Sequence, residues 1–293
     1  MSILVTGATG TVGSLVVRGL ASAGAEVKAL VRQQGKVVFP SGVTEVIGDL
    51  TDVPSMRAAL SSVRTLFLLN AVTPDEVTQA LIALNLARDA GIERIVYLSV
   101  IHADKYTNVP HFTSKYTVER MIEELDLPVT ILRPAYFMQN ERMVQQSIEG
   151  YGVYPMPIGS AGVAMIDARD IADIAVAELL RRDSAATALP RVTLDLVGPG
   201  AITGTSAANT WGSALDREVT YGGDDVSAFE GQMAAFSPAW LAYDMRLMMA
   251  GIQKIGMRGA DGAADRLQAI LGRPLRNYAE FVTETVAAAR SAN

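Results

Sequence analysis

The residues Gly7-Ala8-Thr9-Gly10-Thr11-Val12-Gly13 constrain this chain more than any other segment. They follow a short apolar run, residues 3–6, and open an amphipathic segment, residues 12–23, that Gly24 closes. A strand, a glycine turn and a helix in that order leave few folds open. The first glycine permits the tight turn, the second lets a pyrophosphate approach the backbone, and the third lets helix and strand pack closely. The new helix then offers free N–H groups and the positive end of its dipole to phosphate oxygens. The spacing is G-x-x-G-x-x-G, one residue longer than the common dinucleotide fingerprint. The expected ligand is a nicotinamide dinucleotide, with Gly7, Thr9, Gly10, Thr11, Val12 and Gly13 around its phosphates. A glycine-rich turn that binds nothing is the competing reading.

The first half of the chain repeats this alternation. Apolar runs at 26–31, 44–47, 65–69, 93–99 and 129–132 read as strands, and 53–60, 73–90 and 112–125 read as helices. Strands alternating with helices at this spacing imply a parallel sheet with right-handed crossovers. Leu66-Phe67-Leu68-Leu69 and Ile95-Val96-Tyr97-Leu98 are apolar throughout, as strands covered on both faces should be. The predicted fold is α/β, a Rossmann-type doubly wound parallel sheet with a smaller C-terminal portion that covers substrate. Residues 1–150 form the dinucleotide-binding domain and 151–293 the smaller portion, with later strands returning from about 160–200. In that second part, 170–181 reads as a helix, 192–197 as a strand, and 227–255 as a helical stretch rich in Met and aromatics.

Several function classes drop out on composition. A net charge of −6 with no long basic run argues against nucleic acid, which needs clustered Lys and Arg. Without cysteine there are no disulfides, thiolate metal sites or Cys nucleophiles. Two histidines, His102 and His111, are too few to argue a metal site, and no G-x-S-x-G elbow is present. The apolar start Ile3-Leu4-Val5 is too short for a signal peptide. No run reaches the roughly 20 apolar residues of a membrane span; residues 240–252 come nearest and are interrupted by Asp244 and Arg246. The expectation is a cytoplasmic protein with no membrane or nucleic-acid partner. A homodimer is one of the oligomeric states left open.

Cofactor preference is written at the strand ends. An NAD-selective site places an acid after the second strand, to bind the ribose 2′-hydroxyl. Here the residues are Val31-Arg32-Gln33-Gln34, so Arg32 is placed to pair bidentately with the 2′-phosphate of NADP(H), unless it is simply a solvated loop arginine. Gly48-Asp49-Leu50 follows the third strand. There the Asp49 carboxylate can accept from an adenine amino group, with Leu50 beside it. Asn70-Ala71 ends the fourth strand, near the expected adenine ribose.

These residues resemble the NmrA-like group of atypical short-chain dehydrogenases/reductases. The resemblance rests on residues 5–13, on Val46-Ile47-Gly48-Asp49-Leu50, and on His111-Phe112-Thr113-Ser114-Lys115 with Val118-Glu119. It rests also on Thr130-Ile131-Leu132-Arg133-Pro134 with Phe137 and Asn140, and more weakly on residues 167–172. It covers about residues 1–180. It implies a Rossmann fold and NADP(H). It also implies one of two roles: reduction of quinones, dyes, ethers or polyketide-type aromatics, or a non-catalytic NADP(H) sensor that regulates a protein partner. It places Ser99 beside the nicotinamide, where the hydroxyl could instead cap local backbone. It brings the backbone at Pro134, with Tyr136 and Phe137, to the nicotinamide carboxamide. Arg133 could serve there or form a structural ion pair.

Ordinary short-chain dehydrogenases carry Tyr and Lys at i and i+4 on the helix after the fifth strand, on one face. This chain has Lys115 with His111 four residues earlier; Tyr116 points about 100° away and Tyr106 precedes the helix. Three readings follow. Lys115 binds ribose and His111 donates the proton, since imidazole titrates in a suitable range. Or Lys115 binds the cofactor and the proton comes from water or from the substrate's own acidity, which suits quinones. Or the site binds NADP(H) without chemistry. The expectation is an NADPH-dependent reductase of a hydrophobic quinone-like or aromatic carbonyl compound, with the sensor as alternative. Met233, Phe236, Trp240, Tyr243, Met245, Met248 and Met249 either line the pocket of an apolar planar substrate or form a core helix pair.

Overall fold

In this computed structural model residues 2–292 are described. The strands are β1 (Ser2–Val5), β2 (Val27–Val31), β3 (Val43–Ile47), β4 (Val63–Leu68), β5 (Arg94–Leu98), β6 (Val129–Pro134), β7 (Val153–Tyr154), β8 (Val192–Leu196) and β9 (Thr220–Tyr221). Seven form one parallel sheet in the order β3-β2-β1-β4-β5-β6-β8, and β7 pairs with β9 apart from it. The strand order reverses direction between β1 and β4, which makes the carboxyl ends of those two strands the switch point of the sheet.

The two-residue period of the strands divides their side chains between two cores. Ile3 and Val5 face one side with Val96 and Leu98, while Leu4 faces the other with Ile95 and Tyr97. The first face is covered by α1 (Thr11–Ser22), and the second by α2 (Val53–Leu60), α3 (Glu76–Asp89) and α4 (Pro110–Glu124). After β6 come a 3-10 segment (Met138–Met143), α5 (Gln145–Tyr151) and α6 (Ala168–Ser184). Helix α6 returns beside α1 and shares its core, and β8 then joins the sheet next to β6. Asp167 caps α6 by accepting from the Arg169 N–H at 2.8 Å.

The last third of the chain adds α7 (Gly204–Leu215), α8 (Val226–Ala234), α9 (Ala239–Ile255), α10 (Ala263–Leu271) and α11 (Tyr278–Ala292). A third core gathers Phe112, Tyr136, Tyr154, Trp211, Met248, Met249, Ile252 and Phe281. The helical stretch expected at 227–255 is in fact two helices. Pro238 has no N–H to donate and disfavours helix in the residue before it, so the chain turns there and α9 restarts with Pro238 at its N-cap. The core-helix reading of the Met and aromatic cluster holds for part of it. Met248 and Met249 are core, whereas Phe236, Trp240 and Tyr243 are exposed. Among the described residues no helix is long and apolar enough to cross a membrane.

Candidate dinucleotide and catalytic site

The glycine loop leaves β1 at the switch point. The Thr6 hydroxyl clips the end of β1 to that of β4, donating to the Leu69 carbonyl at 2.7 Å and accepting the Leu69 N–H at 2.8 Å. Gly7 then turns with φ +60, a conformation that favours glycine. A Cβ on Gly13 would stand 2.1 Å from the Gly7 carbonyl oxygen, so only glycine lets α1 pack this close. Gly10 N-caps α1 with no side-chain cap, leaving the first N–H groups of the helix without an intrahelical acceptor. Gly7, Thr9, Gly10 and Thr11 are exposed beside those donors, while the Val12 side chain turns into the core. An open loop of glycines below uncapped N–H groups is a cradle for phosphate.

Arg32 and Asp49 stand at the ends of the adjacent strands β2 and β3. Arg32 is exposed. Asp49 Oδ1 accepts from the Thr51 N–H (2.9 Å) and Oγ1 (2.6 Å). These bonds, with the charge of Arg32 nearby, hold its carboxyl below the ordinary range, so it stays an acceptor. Leu50 is half-buried against the core on the α2 side. Ala71 is exposed. Asn70 is buried, its Nδ2 donating to the Glu76 carbonyl at 2.9 Å while its Oδ1 has no partner.

His111 and Lys115 lie one turn apart near the start of α4, both buried. Lys115 Nζ is 3.3 Å from Glu76 Oε1, at the first turn of α3. Burial pushes the Glu76 carboxyl above the ordinary range, and the charges of Lys115 and His111 pull it back. Its second oxygen, Oε2, has no partner. His111 is held from the far end of the chain. Asp244, on α9, accepts from the His111 backbone N–H at 3.0 Å through Oδ2 and from ring Nδ1 through Oδ1. His111 Nε2 is left without a protein partner among the described residues.

Ser99 and Arg133 are taken up by bonds within the protein. The Ser99 hydroxyl, expected at the nicotinamide, donates instead to Glu119 Oε1 at 2.6 Å, in a buried position. Arg133 grips the same carboxylate with Nε (3.0 Å) and Nη2 (2.6 Å), so it forms the structural ion pair. Pro134 ends β6 and is buried, Tyr136 is buried with its phenol pushed up by desolvation, and Phe137 is half-buried. Tyr116 lies half-buried under Arg120, and the Tyr106 hydroxyl donates to the Gly256 carbonyl; neither is near the role of the missing Tyr. The reading of the sequence missed Glu76 and Asp244 as members of the cluster. For Asp244 a signal existed. It recurs at helical spacing with Met248 and Ile252, which puts a carboxylate on the buried stripe of an apolar helix.

The residues present fit NADP(H). Asn70 Oδ1 and Glu76 Oε2 are buried acceptors without donors, an arrangement that costs about 1–3 kcal/mol each. A ribose supplies hydroxyl donors, and Lys115 keeps N–H groups to return. Gly7 to Gly13 would hold the pyrophosphate, and Arg32 and Asp49 the adenosine end.

Comparison with known proteins agrees with this architecture. The model of the NmrA-like family matches residues 1–249. An NAD(P)H azoreductase of Xenophilus azovorans is 32% identical over 291 residues, covering 98% of this chain and 98% of that protein. A (4-alkanoyl-5-oxo-2,5-dihydrofuran-3-yl)methyl phosphate reductase of Streptomyces griseus is 30% identical over 286 residues, covering 96% and 97%. The crystal structure of an NADPH-dependent quinone oxidoreductase of Escherichia coli superposes with a TM-score of 0.83 at 25% identity, covering 97% of this chain and 99% of that one. With a family match over most of its length and relatives aligned from end to end, this chain belongs to the NmrA-like family.

Proposed function

We propose that this chain is an NADPH-dependent reductase that passes hydride to a planar, apolar acceptor of the quinone or azo class. The chain is an NAD(P)H-dependent oxidoreductase of the kind its relatives are. The observation that carries the reading is the alignment, at the switch point, of an uncapped α1 with the buried Lys115 beside two unpartnered acceptor oxygens. NADPH, when bound, supplies the hydride. The protein's own groups do the rest. Lys115 holds the nicotinamide ribose together with Asn70, whose bond to the Glu76 carbonyl favours this ribose over the adenine ribose expected from the sequence. Arg32 selects the 2′-phosphate, and His111 Nε2 faces the acceptor with a proton to give. The acceptor class follows from two supports. The relatives include an azoreductase and a quinone oxidoreductase. In addition, α9 reaches His111 through Asp244, and Trp240, one turn before Asp244 on the same side of the helix, offers a flat, exposed apolar side chain.

The test is steady-state turnover. Purified protein with NADPH and, in turn, 1,4-naphthoquinone, an azo dye and an aromatic ketone should consume the reduced nicotinamide with at least one acceptor. Tight NADPH binding with no turnover on any of them would overturn the reading and leave a cofactor-binding sensor.

A further inference from the structure

We infer that Asp244 is a positioning residue for the proposed reaction: it locks the His111 ring in the orientation and protonation pattern that leaves Nε2 to deliver the proton. This rests on the reductase reading above.

The geometry is specific. A carboxylate can only accept, so the ring nitrogen bonded to Asp244 Oδ1, Nδ1, carries its proton. Any further proton on the ring must then sit on Nε2, which is the nitrogen with no protein partner. The other carboxylate oxygen takes the His111 backbone N–H at 3.0 Å. One side chain therefore fixes both the ring and the backbone that bears it. The Phe112 ring packs edge-on against the imidazole, at 4.7 Å between centroids. Asp244 is 1% exposed and Val109, just before α4, offers no side-chain cap. The carboxylate thus stands in for a cap supplied from 133 residues away along the chain. A surface ion pair would not have this form, with both oxygens occupied by one residue in a buried setting.

The proton balance is simple. After hydride addition the acceptor carries an electron pair on oxygen or nitrogen. The doubly protonated imidazole gives its Nε2 proton to that atom, and the neutral ring keeps Nδ1–H on Asp244. Solvent returns a proton to Nε2 between turnovers. Glu76 and Lys115 are the other charged groups facing this ring; Lys115 is occupied by Glu76, so Asp244 is the group that orients it. A quinone yields a stabilised anion and needs little of this help. An azo nitrogen needs more.

The experiment uses Asp244→Asn in the full chain. Because the protein has only two histidines, the ring 15N spectrum is assigned with one control, His102→Gln. Wild type should show the His111 proton on Nδ1, and Asp244→Asn should lose that signature. With an azo dye, kcat should fall on the order of a hundredfold while KM for NADPH stays within about twofold. The loss with 1,4-naphthoquinone should be smaller. His111→Gln with Asp244→Asn should be no slower than His111→Gln alone, because the carboxylate acts through the ring. A wild-type ring protonated on Nε2 alone would overturn the proposal, and this measurement stands even if the variant fails to fold. An unchanged spectrum and kcat in Asp244→Asn, or additive losses in the double variant, would overturn it too. A wild type that turns over no acceptor sinks the reductase reading separately, since the ring spectra still report whether Asp244 sets the tautomer.

Discussion

Lys115 Nζ lies 3.3 Å from Glu76 Oε1 in an ion pair that water barely reaches, the two side chains being 9% and 3% exposed. It ties α4 to α3 beneath the place where the nicotinamide ribose is proposed to sit. Breaking such a pair from one side strands a buried charge.

Lys115→Met should therefore cost stability as well as activity, by about 3–5 kcal/mol near neutral pH. The cost should depend on pH in a fixed direction. Without Lys115 the folded Glu76 carboxyl rises further above the ordinary value of 4.5, so the native state holds its proton more tightly than the unfolded chain. The penalty is then small below that value and grows as pH rises through it. Adding Glu76→Leu should restore much of the stability and none of the turnover. Urea melts across pH, beside activity assays, check both halves; a double variant as unstable as the single one refutes the ion-pair account.

Arg32→Ala should weaken NADPH binding about tenfold to a hundredfold, the scale of a charge-assisted contact to phosphate, and leave NADH binding nearly unchanged. Arg32 is exposed and its charge acts on Asp49 without an ion pair among the described residues, so the fold should not suffer. Fluorescence titration with both cofactors measures the ratio. Equal losses for the two would remove Arg32 from the 2′-phosphate.

Two of the loop glycines, Gly13 and Gly10, should fail in different ways when given a Cβ. At Gly13 the added carbon meets the Gly7 carbonyl at 2.1 Å, backbone against backbone, so α1 must move. Gly13→Ala should cost roughly 2 kcal/mol of stability and bind cofactor poorly. At Gly10 the nearest atom is 3.3 Å away and the residue is exposed, so Gly10→Ala should fold like wild type while losing NADPH affinity. Thermal melts and NADPH titrations separate the two. A Gly10→Ala protein that binds NADPH normally would show that phosphate does not lie against this glycine.

The glycine loop and the alternation of strands were legible because their cause is local. A parallel strand buried on both faces must be an apolar run, and a tight turn into a helix must use glycine at Gly7 and Gly13. His111 and Lys115 were legible for the same reason, as i and i+4 on one helix. Their partners were not. Glu76 reads as an acid favouring a helix N-terminus, and Asp244 reads as an interruption in an apolar stretch. Only the packing of α3 and α9 against α4 turns those two carboxylates inward. Ser99 shows the opposite case. Its place at a strand end suggested a ligand, but Glu119, twenty residues on, takes its hydroxyl. Helices α7, α10 and α11 escaped because each is anchored by distant contacts, as with Trp211 and Tyr278 converging on Glu141.

Glu141 gives the last prediction. It is fully buried and accepts from the Tyr154 hydroxyl at 2.9 Å, the Tyr278 hydroxyl at 2.9 Å and Trp211 Nε1 at 3.3 Å. Burial pushes its carboxyl up to about 7, with those three hydrogen bonds opposing the shift. The folded value is thus above the ordinary 4.5, and the native state binds this proton more tightly than the unfolded chain does. The contribution to stability is full below 4.5, declines as pH rises, and is gone above about 7. Its size is on the order of 3 kcal/mol. Glu141→Gln keeps an acceptor for one tyrosine and can donate to the other, and it has no proton to lose. Because Glu76 titrates in the same direction, the difference between variant and wild type is the quantity to follow. Unfolding free energies from denaturant titrations at several pH values should show the variant gaining on wild type between pH 4.5 and about 7, with the two curves parallel outside that window. Parallel curves throughout would mean that Glu141 enters the folded protein with an ordinary carboxyl.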